Sequence, residues 1–171
     1  MINIDIEVRS KKWQEQKNIE NLIEKTCQKI IPFTDLKLIL NKNFQLELAI
    51  SLVSDVQMKK INFSFRGKNK STNVLSFSNL DEKLIHKNGL KKVVGSSKYL
   101  LLGDVVIAYE TVKKESIKEG KKFSDHLTHL ILHAILHLIG HDHEDEKMAK
   151  IMEKKEVEIL QKIGIKNPYL I

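Results

Sequence analysis

The sequence predicts an α+β fold: one domain over residues 1–171, with a mixed four-stranded sheet packed against five to six α-helices. Two observations carry this. Four segments read as strands, two of them with clean apolar–polar alternation, and between them lie segments whose apolar residues recur at helical spacing. A third bounds it: the chain has 171 residues, 42% hydrophobic and 30% charged, and no interdomain linker or internal repeat.

The elements follow in order. Ile2, Ile4, Ile6 and Val8 alternate with polar residues and form a strand with one buried face. From Asn18 to Ile31, Ile19, Leu22, Ile23, Cys27 and Ile30 repeat as one face of a helix, which Pro32 closes. Phe44 to Ser54 alternates again, and Ser54 or Asp55 caps a short helix through Val56, Met58 and Ile61. A polar turn, RGKNKSTN, precedes a brief strand over Asn73–Phe77. Residues 79–98 are hydrophilic and lysine-rich, a surface excursion. Tyr99–Tyr109 is a strand, apolar on both faces apart from Gly103 and Asp104, and a helix follows from Glu110 to Glu119. Ser124 or Asp125 caps a histidine-bearing helix that stops at Gly140. The last helix opens on Glu144, Asp145 and Glu146, carries Met148, Ile151, Met152, Ile159 and Leu160 as its apolar stripe, and ends at Gly164.

Composition narrows the function classes. The single cysteine, Cys27, makes neither an internal disulfide nor a CxxC motif, which fits a reducing cytoplasm. No basic-then-apolar leader and no apolar run of membrane length is visible, so no membrane partner is expected. Residues 59–122 hold 15 Lys or Arg against 6 Asp or Glu, while the remainder is slightly acidic. That basic middle suits a polyanion such as RNA. A general lysine bias offers a plainer account, because only Arg9 and Arg66 are arginine among 29 basic residues.

The chemistry concentrates in HAILHLIGHDH, residues 133–143. On a helix, His126, His129, His133 and His137 fall in one stripe. His133 and His137, one turn apart, aim two nitrogens at one point. Gly140 permits the left-handed backbone that turns the chain back, and His143 then approaches from the other side. HxxxHxxGxxH with three ligands leaves a fourth position for water, the arrangement of a catalytic zinc site. His129 with His133 makes a rival HxxxH pair, but glycine and third histidine are correctly spaced only for the later one. One zinc ion is expected, and nickel, cobalt and copper also suit three imidazoles.

Metalloproteases use the same spacing as HExxHxxGxxH, with glutamate as base; here that position is Ala134. Three neutral imidazoles leave the metal's charge uncompensated, which favours an anionic substrate such as a phosphodiester. A protease lacking the usual base, and a non-catalytic protein with a structural metal, remain alternatives. Arg66 stands out as an arginine in a glycine turn, where its planar fork suits two phosphate oxygens. Lys68, Lys70 and Asn73 are candidates to track a phosphate backbone. Asp104, inside an apolar strand, and Asp142, between His141 and His143, are candidates to support the ligands.

HAILHLIGHDH closely resembles the signature HGxLHLxGYDH of the YbeY family, bacterial rRNA maturation endoribonucleases. FRGKNKSTNVLSF at 65–77, GDVVIAYETV at 103–112 and GIKNPY at 164–169 are similar to further stretches of that family, so the likeness runs from about residue 58 onward. The resemblance implies a zincin-like fold and a zinc-dependent endoribonuclease, selective for single-stranded RNA. It implies action on the 3′ end of 16S rRNA and in ribosome quality control, with the ribosome and assembly factors as partners and no DNA. It assigns metal ligation to His133, His137 and His143 and catalytic roles to His133, His137 and Arg66, which stands at the position of the family's functionally important arginine. Two positions depart from the signature: Ala134 replaces glycine and His141 replaces tyrosine. His141 is a rival ligand, although its side chain is expected to point away from that of His143.

Overall fold

The computed structural model describes residues 1–170. Strands β1 (Ile2–Val8), β2 (Gln45–Val53), β3 (Val74–Ser78) and β4 (Tyr99–Ala108) form one sheet in the order β1-β2-β4-β3. β1 and β4 both run parallel to β2, whereas β3 pairs antiparallel with β4. Among these residues there are seven α-helices: α1 (Ile19–Ile30), α2 (Asp55–Arg66), α3 (Glu82–Asn88), α4 (Leu90–Val94), α5 (Tyr109–Lys118), α6 (Phe123–Leu138) and α7 (Glu146–Lys162). The count exceeds the expected five to six because the stretch 79–98, expected as a surface excursion, contains α3 and α4. Leu90 anchors that stretch in the core while its lysines stay in water.

The α+β expectation holds. β2 alternates as read, with Leu46, Leu48, Ile50 and Leu52 all buried. They join Ile23, Cys27, Ile131 and Ile135 from α1 and α6 in the main core on one face of the sheet. On the other face α2 covers a smaller cluster of Val53, Met58, Leu75, Val106 and Ala108. Two capping details differ from the sequence reading. α6 starts at Phe123 after Lys122, so Ser124 and Asp125 lie within its first turn, where Asp125 complements the helix dipole. α7 begins at Glu146, because the Asp145 side chain accepts from Met148 N at 2.7 Å. Ile151, placed on the apolar stripe of α7, is instead exposed.

One irregularity shapes the sheet beside the histidines. Between Glu47 and Ala49 of β2, β4 advances from Leu101 to Asp104, so β4 carries an extra residue at Leu102–Gly103. This bulge turns Asp104 outward. The carboxylate expected to need a buried partner is exposed on the sheet surface opposite Phe77, outside the histidine cleft, and supports no ligand.

Candidate metal centre

α6 is apolar around most of its circumference and lies in the core, and His133 and His137 reach the cleft from it. His133 and His137 are partly buried, one turn apart, with their Nε2 atoms 3.1 Å from each other. Gly140 ends the helix at φ +92°, as the sequence predicts. The chain doubles back, and His143 brings its ring centroid to 4.9 Å from that of His137 and 5.5 Å from that of His133. One nitrogen from each histidine lies within 4.8 Å of the other two. Nitrogens bound tetrahedrally at about 2.0–2.1 Å stand roughly 3.4 Å apart, so the observed spacing fits one shared ion. Burial, then His133 and His143, push the His137 imidazole down to about 4, which keeps it in its neutral, ligating form at neutral pH.

Gly140 is needed twice over. Its backbone is left-handed, and a Cβ there would come within 3.0 Å of Ile85 Cγ2 on α3. Gly140→Ala is expected to cost about 1–3 kcal/mol in a urea melt of the metal-free protein.

A residue absent from the sequence reading orients the first histidine of the triad. Glu156 of α7 is fully buried, and its Oε1 accepts from His133 Nδ1 at 2.7 Å. That bond puts the His133 proton on Nδ1 and frees Nε2 for the metal. Glu156 Oε2 accepts from His129 Nε2 at 3.2 Å and from the Tyr169 hydroxyl. Burial opposes ionisation of this carboxyl, yet hydrogen bonds from His129 and His133 outweigh it and draw it down to about 2. The signal lay in the pattern. Met152, Glu156, Ile159 and Leu160 share a face at helical spacing, and an acid on an apolar stripe must have a buried partner.

Three of the other histidines each pair with a carboxylate. His126 Nε2 donates to Glu115 at 2.8 Å, and His129 serves Glu156, so the rival pair His129–His133 does not form the site. His141 is no competitor either: its Nε2 donates to Asp35 at 2.9 Å. That hydrogen bond, with Lys155 2.6 Å from the same oxygen, holds the Asp35 carboxyl well below the usual range and ties the ligand loop to the N-terminal half. Asp142 caps its own turn, accepting from His143 N at 2.7 Å.

Facing the histidines across a cleft of about 540 Å³ is the basic turn after α2. A capping box of Ser54 and Gln57 starts that helix, and Gly67 ends it at φ +67°. Buried Asn62, also missed by the sequence reading, donates to Lys70 O at 2.8 Å and fixes the turn. Arg66, Lys68 and Lys70 line the cleft with His133, His137 and His143. Arg66 makes no hydrogen bond or ion pair among the described residues, whereas Arg9 is spent on Glu7. Asn73 also lines the cleft, but its amide is engaged: it donates to Glu115 at 3.1 Å and accepts from Val74 N at 2.7 Å. It shapes the wall and has little left to offer a phosphate. Val74, Leu75 and Ser76 of β3 complete that wall beside three histidines on one centre.

A family model described as "Endoribonuclease YbeY" matches residues 6–164. The chain belongs to the YbeY family. A protein of Bartonella henselae named "Endoribonuclease YbeY" is 44% identical over 169 residues, covering 99% of this chain and 98% of the relative. A Bartonella quintana protein of the same name is 43% identical over the same shares. The solution structure of TM1509 from Thermotoga maritima superposes with a TM-score of 0.55 over 95% of this chain and 91% of that one. At 21% identity it supports the fold. Family membership makes the RNA-cleaving class of hydrolase the frame for the cleft, and no helix among the described residues is long and apolar enough to cross a membrane.

Proposed function

We propose that this chain is a zinc-dependent endoribonuclease of the cytoplasm that cuts single-stranded RNA, with the 3′ end of 16S rRNA as its substrate and the maturing ribosome as its setting. The observation that carries the reading is the pairing of a three-imidazole centre with an unpaired arginine and two lysines across one cleft. When bound, the metal supplies Lewis acidity and makes hydroxide accessible near neutral pH. His133, His137 and His143 hold it through neutral nitrogens, and Glu156 fixes the tautomer of the first. Arg66 grips two oxygens of the scissile phosphate and offsets the charge that grows there in the transition state. Lys68 and Lys70 hold neighbouring phosphates as point charges. Ala134, fully buried in α6, stands where a zincin protease keeps its base, and the basic wall suits a polyanion better than a peptide.

The test is to incubate the purified protein with single-stranded RNA and with casein, each with and without chelator. RNA cleavage that chelation abolishes and zinc restores is the expected result; casein cleavage alone would overturn the proposal. Arg66→Lys sharpens it. The charge stays but the fork is lost, so kcat on RNA should fall about tenfold, the worth of one charge-assisted hydrogen bond. Thermal stability should not change, because the side chain is exposed and unpaired.

A further inference from the structure

A second hollow, about 380 Å³, opens on the far side of His133 from the basic cleft, between α5, α6 and the C-terminal segment. Asn73 and His133 line both spaces, so the two meet at the metal ligands. Their chemistry differs. The cleft carries Arg66, Lys68 and Lys70, whereas the charged side chains of the hollow, apart from its histidines, are Glu115, Glu119 and Lys121. Two carboxylates against one ammonium repel a phosphate.

The hollow has the parts that take a flat polar ring. Buried Leu130 is among its lining residues, and Tyr169, 43% exposed, stands at its side. The Tyr169 hydroxyl is fastened to Glu156 and its ring meets His129 edge-on at 5.5 Å and 82°, so the ring is held in place before any ligand arrives. Both oxygens of Glu115 are engaged, by Asn73 and His126. Glu119 differs: one oxygen accepts from Lys121 and the other has no partner among the described residues. A free carboxylate oxygen accepts the amino hydrogens of cytosine, adenine or guanine, and it repels the two carbonyls that flank the single N–H of uracil.

We propose that this hollow is a nucleobase subsite, which stacks the base next to the scissile phosphate on Tyr169 and uses Glu119 to favour amino-bearing bases over uracil. The proposal rests on the endoribonuclease reading above. The strand then lies across the metal centre with its phosphates on the Arg66 side and one unstacked base on the Tyr169 side, which requires single-stranded substrate.

The experiment sequences the products of a randomised single-stranded RNA cut by the zinc-loaded protein, with variants compared at equal metal content. Uracil should be depleted at one position beside the cut. Glu119→Ala should level that depletion. Tyr169→Leu should lower kcat/KM roughly tenfold by removing the stack, while Tyr169→Phe, which keeps the stacking ring but loses the hydroxyl's contacts with Glu156 and His129, should lower it less and still deplete uracil. Cleavage with uniform base composition around the cut overturns the subsite and leaves the nuclease standing. So does a uracil depletion that survives both Glu119→Ala and Tyr169→Leu. No cleavage of any RNA by the zinc-loaded protein removes the nuclease reading and the subsite together.

Discussion

Glu156→Ala is expected to weaken zinc binding by about 10- to 100-fold and to destabilise the metal-free protein by on the order of 3–5 kcal/mol. Three donors converge on this one carboxylate: His133 Nδ1, His129 Nε2 and the Tyr169 hydroxyl. Removing it leaves partly buried His129 and His133 without their acceptor and empties a site where Glu156 itself is fully buried, while the more exposed Tyr169 loses its tether. The His133 Nδ1–H then has no acceptor, and the tautomer that leaves Nε2 free loses its advantage. Competition with a calibrated chelator reads the metal affinity, and urea unfolding without metal reads the stability. Glu156→Gln separates the two. Its carbonyl can still accept from His133 but its amide cannot also accept from Tyr169 and His129, so it should keep more metal affinity than stability. Equal zinc affinity in the alanine variant and the parent would show that the carboxylate is a core ion pair only.

The histidine triad is legible because its geometry is local. His133, His137, Gly140 and His143 span eleven residues, and one helical turn plus one left-handed glycine determines where three nitrogens go. Arg66 was legible for a compositional reason: in a chain that uses lysine almost everywhere, an arginine in a glycine turn needs a cause. Glu156, Asn62 and Asp35 were not, since each acts through a partner 8 to 106 residues away. Nothing in a helical pattern says which distant group an acid will meet. Glu156 left half a signal, a charge on an apolar stripe; Asp35, on a short 3-10 turn, left none.

Asp104 shows the same limit from the other direction. Alternation says that neighbours on a strand face opposite sides, and a carboxylate in an apolar run therefore reads as buried. One inserted residue voids that count, and the insertion is visible only once β2 and β4 are paired. Alternation marks β1 and β2, an apolar run and turn residues mark β3 and β4, and helical spacing with caps and stop residues marks five of the helices, while α3 and α4 escape because a lysine-rich segment can be helical on very few buried residues.

Gly103→Ala carries the largest expected loss of stability that lies outside the ligand shell, on the order of 4 kcal/mol. Gly103 sits in the β4 bulge at φ +150°, where a side chain is strained even in open space. The space is not open. A Cβ would lie 2.2 Å from Phe77 O and 2.9 Å from Leu138 Cδ2. The first atom is backbone of the paired strand and cannot rotate away; the second belongs to α6 one residue beyond His137. The methyl must therefore push β3 off β4 or press on the end of the histidine helix, where the Ser78 hydroxyl donates to Leu138 O at 2.7 Å. Either movement changes the distance between the cleft wall and the metal ligands, so RNA cleavage should fall together with stability. For a chain of this length the loss corresponds to a drop in melting temperature of about 10 °C, measurable by calorimetry on the metal-free protein. A melting point within a degree or two of the parent would mean that the bulge relaxes around a methyl, and that the close approach of β3, β4 and α6 is not what sets the width of the cleft.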